Sequence, residues 1–172
     1  MIPNEKQEVA MHSLTISNFL RAYKKSGTKD VVYEKLRKRA QERKLMYYSE
    51  VAQIINNFGQ VVIDLEQSQG RLQVGAAVGV ISEDEYNQNR PFISAMVVRK
   101  DGKPGEGFFR LLCVLTKPPC FRPLCERYCS NKENLLKLWS EHHSKKLKDL
   151  DEAWIIELEK VFDYWGNRGR FF

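Results

Sequence analysis

The chain has 172 residues, 42% hydrophobic and 29% charged, with a formal net charge of +6 and a pI of about 9.1. That composition suits one soluble domain, or one domain with a helical extension, able to bury a core. It holds no apolar run as long as a membrane span, and MIPNEKQEVAMHSL lacks the apolar stretch of a secretory signal, so no membrane partner and a cytoplasmic protein are expected.

Residues 1–11 read as a loose leader. Leu14, Ile16, Phe19, Leu20 and Tyr23 then fall on one face of a short helix ending at Gly27. A second helix is predicted from Lys29 to Lys44, with Val32, Tyr33, Leu36 and Ala40 on its apolar stripe. Between Arg21 and Lys44 stand ten basic residues and three acidic ones, a local surplus larger than that of the whole chain. Such a run is either a phosphate-contacting surface or a solvated helix face. Met46-Tyr47-Tyr48 reads as a short extended piece. Ser49 follows as N-cap of a helix carrying Val51, Ala52, Ile54 and Ile55 and closing at Phe58-Gly59.

Gln60 to Gln69 fits strand or helix equally, and Gly70 reads as a break. From Arg71 a helix is expected with Gly75 and Gly79 on one side, where another element can approach closely. Next comes RPFISAMVVRKDGKPGEGFF, Arg90 to Phe109. Phe92 to Val98 reads as a strand, and Asp101-Gly102 after it signals a hairpin or wing. Arg99, Lys100 and Lys103 lie at its tip and suit an anionic partner. Arg110 to Leu115 continues as a helix stopped by Pro118 and Pro119, and a cysteine-bearing loop runs to Ser130. Helices near Lys132 to Lys146 and Asp151 to Trp165 close the chain.

Helix, short strand, helix, glycine-bearing helix and hairpin, in that order, predict an α+β fold: a mostly helical winged helix-turn-helix with a C-terminal helical extension. The expected divisions are 1–28 (leader and helix), 29–116 (winged-helix domain) and 117–172 (cysteine-bearing loop and last helices).

The segment Tyr33 to Gly107 resembles the DNA-binding domain of the alkylguanine–DNA alkyltransferases and alkyltransferase-like proteins. Tyr47-Tyr48-Ser49-Glu50-Val51-Ala52 matches their SYQQLA element, Val97 to Gly102 their RVVR-DG element, and Arg71 to Gly79 the position of RAVG. The resemblance implies that Tyr48 helps rotate a nucleotide out of the stack and that Arg71 fills its place. The family's reactive PCHR element is replaced. Ser94 stands for the cysteine, Ala95 for the histidine and Met96 for the arginine, so no base activates Ser94 and no alkyl transfer is expected. The pattern RP-ISA-VV-K-G-PGEGFF with a terminal W…EL-VF-YW also resembles a family of small bacterial proteins that carries no known activity.

The leading expectation is therefore a double-stranded DNA-binding protein without catalysis, using Tyr48, Arg71, Arg99, Lys100 and Lys103. The glycine-rich loop Gly105-Glu106-Gly107 supports an alternative: a metal-dependent nuclease of a mobile-element or defence system, with Glu106 as ligand and Asp64, Glu66 or Asp101 as companions. Against it, Glu106 also suits the N-terminus of the following helix. A second alternative is a protein-interaction subunit docking a larger partner through Trp139, Trp154 and Trp165. No cofactor is required. The one metal set suggested is zinc on Cys120, Cys125 and Cys129 with His142 or His143, although the spacing is irregular and reduced thiols are the simpler reading. His142 and His143, adjacent on a helix, are expected to point apart.

Overall fold

The computed structural model describes residues 5–59, 61–116 and 129–168, with side chains from Thr15 to Gly166. The helices are α1 (Glu5–Lys25), α2 (Thr28–Gln41), α3 (Tyr48–Phe58), α4 (Ser68–Asn87), α5 (Glu106–Thr116), α6 (Lys132–His142) and α7 (Leu150–Arg168). The strands β1 (Met46–Tyr47) and β2 (Val97–Val98) pair parallel, Met46 with Val97 and Tyr47 with Val98. The protein is thus a mostly helical α+β fold with a two-stranded parallel sheet. Among the described residues no helix is long and apolar enough to cross a membrane.

The expected β-hairpin wing is not formed. Phe92 to Val98 is not one strand: Ile93–Met96 is a buried 3-10 turn, and only Val97–Val98 is extended. The chain then turns at once. The Gly102 N–H donates to the Arg99 carbonyl (2.9 Å) and the Arg99 N–H to the Lys103 carbonyl (2.8 Å), with Gly102 at a φ of 76°. Pro104 follows and has no N–H to extend a returning ladder, so β2 finds its partner in β1 instead.

Helix α4 is the centre. Its stripe Val74, Ala77, Val78 and Ile81 is buried, and α1, α3, α5 and the 3-10 turn all lie against it. Gly70 is not a break but part of this helix. A Cβ there would collide with the Asp64 carbonyl oxygen, so glycine lets the preceding loop press on the first turn. The described residues of that loop, 61–67, are irregular. Asn56 holds it like a strand partner, accepting from the Ile63 N–H (2.7 Å) and donating to the Ile63 carbonyl (3.0 Å).

Other boundaries also differ from expectation. Helix α1 begins at Glu5, within the span read as a loose leader. The N-cap of α3 is Tyr47 rather than Ser49, because Glu50 reaches back to the Tyr47 N–H (2.9 Å) and also holds Arg39. The last two helices share the core with the rest. Helix α7 lies along α2, and the indole N–H of Trp154 donates to the Ala95 carbonyl (2.7 Å) on the 3-10 turn. Trp139 and Trp165 are buried to 0% and 4% exposure, so these tryptophans build the core and do not form a docking face.

Candidate functional site

Four stretches singled out in the sequence meet at one place. The Tyr48 side chain, at the first residue of α3, runs between α4 and the Pro104-Gly105 loop. A Cβ on Gly75 would lie 3.7 Å from its hydroxyl, and one on Gly105 only 2.5 Å. Glycine at both positions is therefore what admits the phenol. Around it Gly79, Ser94, Gly107 and Phe108 complete a cavity of about 20 Å³. Burial pushes the Tyr48 phenol up, with Arg99 opposing from the turn after β2. Tyr48 is thus half-buried, with its hydroxyl set among glycines beside the site.

Ser94 occupies the reactive position implied by the resemblance, and its surroundings are inert. Its hydroxyl is buried and shares a hydrogen bond with the Ser82 hydroxyl (2.7 Å), which also accepts from the Ser94 N–H (2.8 Å). The pair ties the 3-10 turn to α4 and supplies no base. The cavity has room for about one water molecule and is far too small for a nucleobase. In this conformation it receives no flipped nucleotide.

Of the other four expected DNA contacts, Arg99 acts on the Tyr48 phenol, and Lys103 lines the separate groove toward α6 and α7. Arg71, Gly75 and Gly79 share one side of α4, so Arg71 lies one turn beyond the Tyr48 contact. Its guanidinium donates back to the carbonyls of Leu65 (2.8 Å) and Glu66 (3.2 Å), and the side chain is exposed. Arg99 pairs with Asp101 (2.7 Å), Lys103 pairs with Asp151, and Lys100 is exposed with no ion pair among the described residues. The basic run from Arg21 to Lys44 is engaged in part. Lys29 pairs with Asp84, Arg37 with Glu34, Arg39 with Glu50, and Arg43 with Glu159 and Asp163. Arg37 also stacks over Trp165, 4.8 Å from the ring centroid. Lys29, Arg39 and Arg43 thus tie α2 and its end to neighbouring elements, while Arg21, Lys24, Lys25, Lys35 and Lys38 enter no ion pair among the described residues.

Glu106 opens α5 and pairs with Arg110 (3.2 Å) one turn on. Asp64, Glu66 and Asp101 do not join it in a metal-binding group among the described residues. A larger groove of about 610 Å³ beside it, reaching α6 and α7, mixes Arg99, Lys103, Arg110, Lys132 and Lys148 with Glu106, Glu133, Asp149 and Asp151. The alternation of sign gives it no clear preference for an anion.

The suggested cysteine set is changed. The Cys129 sulfur is bonded to Cys113, which removes it as a thiolate ligand, while Cys120 and Cys125 lie outside the described residues. The histidines do not point apart: His142 closes α6 and His143 is its C-cap. Their Nε2 atoms both approach Glu157 Oε1, from 3.6 Å for His142 and 3.5 Å for His143. Glu157 comes from α7, and no sequence spacing announces its partnership with the histidines. Burial pushes its carboxyl up, but His142 and Lys160 beside it outweigh this and hold it below the usual range. No protein-family model, curated protein or solved structure matches this chain.

Proposed function

We propose that this chain binds double-stranded DNA as a helix-turn-helix protein of the alkyltransferase-like kind and carries out no alkyl transfer. The observation that carries the reading is the convergence of Tyr48, Gly75 of α4 and Gly105 at one point, with Arg71 on the same side of α4. Helices α3 and α4 would be the helix pair, with the exposed first turns of α4 facing the groove. The turn Arg99 to Lys103 would take the place of the wing and meet the phosphate backbone. The exposed ion pairs of Arg99 and Lys103 are weak, so phosphates can replace their carboxylate partners at little cost.

Two features shape the reading. The connection Gly59 to Gln67 is longer than the three- or four-residue turn of the simplest helix-turn-helix, so the α3–α4 angle is set by the Asn56–Ile63 clasp and the Gly70 contact. The closed Tyr48 cavity favours intact duplex over an extruded base. Fluorescence anisotropy with labelled duplex, in competition with single-stranded DNA and RNA, tests the proposal. It expects saturable binding at low salt, preference for duplex, and severalfold weakening in Arg71→Ala and in Lys100→Ala. Absence of binding at low salt would reject it.

A protein partner at the same end is the second reading. Phe58 at the end of α3, Val62 in the connection and Leu72 in the first turn of α4 are 61%, 83% and 54% exposed. A Phe58→Ser, Val62→Ser variant that loses self-association or partner capture but keeps DNA affinity would favour it.

A further inference from the structure

We propose that His142, His143 and Glu157 form a site for a divalent metal of the zinc class, clasping the end of α6 to α7. The inference is independent of DNA binding. Two imidazoles and one carboxylate are a recurrent zinc ligand set that leaves a fourth position for water. The three ligand atoms lie within 4.8 Å of one another, and the two histidine–glutamate separations are 3.6 and 3.5 Å. A tetrahedral ion with bonds of about 2.0–2.1 Å holds its ligand atoms about 3.3–3.5 Å apart, so these separations need little adjustment.

A second observation points the same way. The His143 side chain is only 4% exposed, and its Nε2 has no hydrogen-bond partner. A buried ring nitrogen left unpaired is costly and calls for an explanation. Its distance from Glu157 Oε1 is too long for a hydrogen bond but suits two ligands sharing an ion. Trp139 walls the site, with the His143 ring stacked 5.8 Å away and the His142 ring edge-on at 5.6 Å. His142, at 27% side-chain exposure, leaves a path from solvent.

Lys160 is the competitor. Its ammonium lies 2.8 Å from Glu157 Oε1 and 3.4 Å from His143 Nδ1, and it neutralises the carboxylate when no metal is bound. The side chain is 47% exposed, so the ammonium can withdraw into water as an ion enters. Removing it should therefore strengthen metal binding, which a purely structural salt bridge would not predict.

The test is calorimetric titration of the full chain with Zn²⁺, repeated with Co²⁺ to read tetrahedral visible absorption, in a Cys120→Ser, Cys125→Ser background. One equivalent is expected to bind and to raise the melting temperature. His142→Ala, on the solvent edge, should keep the helical circular dichroism and weaken binding at least tenfold. Glu157→Gln should weaken it similarly, and Lys160→Met should tighten it severalfold. No binding by the unsubstituted site, or affinity unchanged in His142→Ala, overturns the proposal. So does weaker binding in Lys160→Met.

Discussion

A Cβ on Gly105 would stand 2.5 Å from the Tyr48 hydroxyl but 3.4 Å from the ring carbon that bears it. The conflict is therefore with one oxygen atom at the end of a half-buried side chain. Gly105→Ala is expected to destabilise the protein by about 1–2 kcal/mol, as local overpacking does. Tyr48→Phe removes that oxygen, so the double variant should recover most of the loss. A denaturant-unfolding cycle of the four proteins checks this, and strict additivity would show that the two groups do not meet. Tyr48, Ser94 and the PGEG loop were each legible as unusual residues in the sequence. Their meeting was not, because it depends on how α4 brings Gly75 beneath the phenol. The Ser82–Ser94 pair was equally hidden, since a serine inside a helix announces no partner.

Two glycines of α4 separate backbone freedom from close approach. A Cβ added to Gly79 would meet nothing within 4 Å, and the backbone there is ordinary helix. Gly79→Ala should therefore stabilise by about 0.5–1 kcal/mol, the helix-propensity difference. Gly70 lies in the same helix, but its added Cβ would strike the Asp64 carbonyl. Gly70→Ala is expected to cost about 3 kcal/mol or more, since backbone must move. Thermal melts of both variants decide the matter, and the same sign for the two would contradict the geometry. Helix periodicity made α2, α3, α6 and α7 readable because each has a one-sided apolar stripe. The strands are hidden in the sequence for a physical reason. Two residues are too few to show alternation, and Asp101-Gly102 forms a turn whether the chain returns as a strand or as a helix.

Across the whole molecule, one hydrophobic cluster joins α1 to α7, and a buried ionic knot is fixed into it. Glu85 on α4 is 1% exposed, accepts from the Tyr33 hydroxyl (2.8 Å) and pairs with Arg90. Arg90→Met would strand that carboxylate, and an expected loss of about 3–5 kcal/mol follows from an uncompensated buried charge. Chemical denaturation measures it. Burial, then the hydrogen bond to Glu85, pushes the Tyr33 phenol up to about 12. The folded chain thus holds this proton more tightly than the unfolded chain, whose tyrosines titrate near about 10. The contribution is whole below pH of about 10 and is lost as pH rises through about 12. Tyr23, shifted further in the same direction by burial, extends the loss. Melting temperature should fall in that window, and fall less in Tyr33→Phe. None of this knot was legible in advance, because Tyr33, Glu85 and Arg90 come together only once α2 lies on α4.

The salt dependence of duplex DNA binding tests the central proposal most directly. Four contacts from Arg71, Arg99, Lys100 and Lys103 predict a slope of log affinity against log salt of about −3 to −4. Arg71→Ala and Lys100→Ala should each make it shallower by about one. No binding at low salt, or binding whose strength and slope are the same in both variants, would contradict the account.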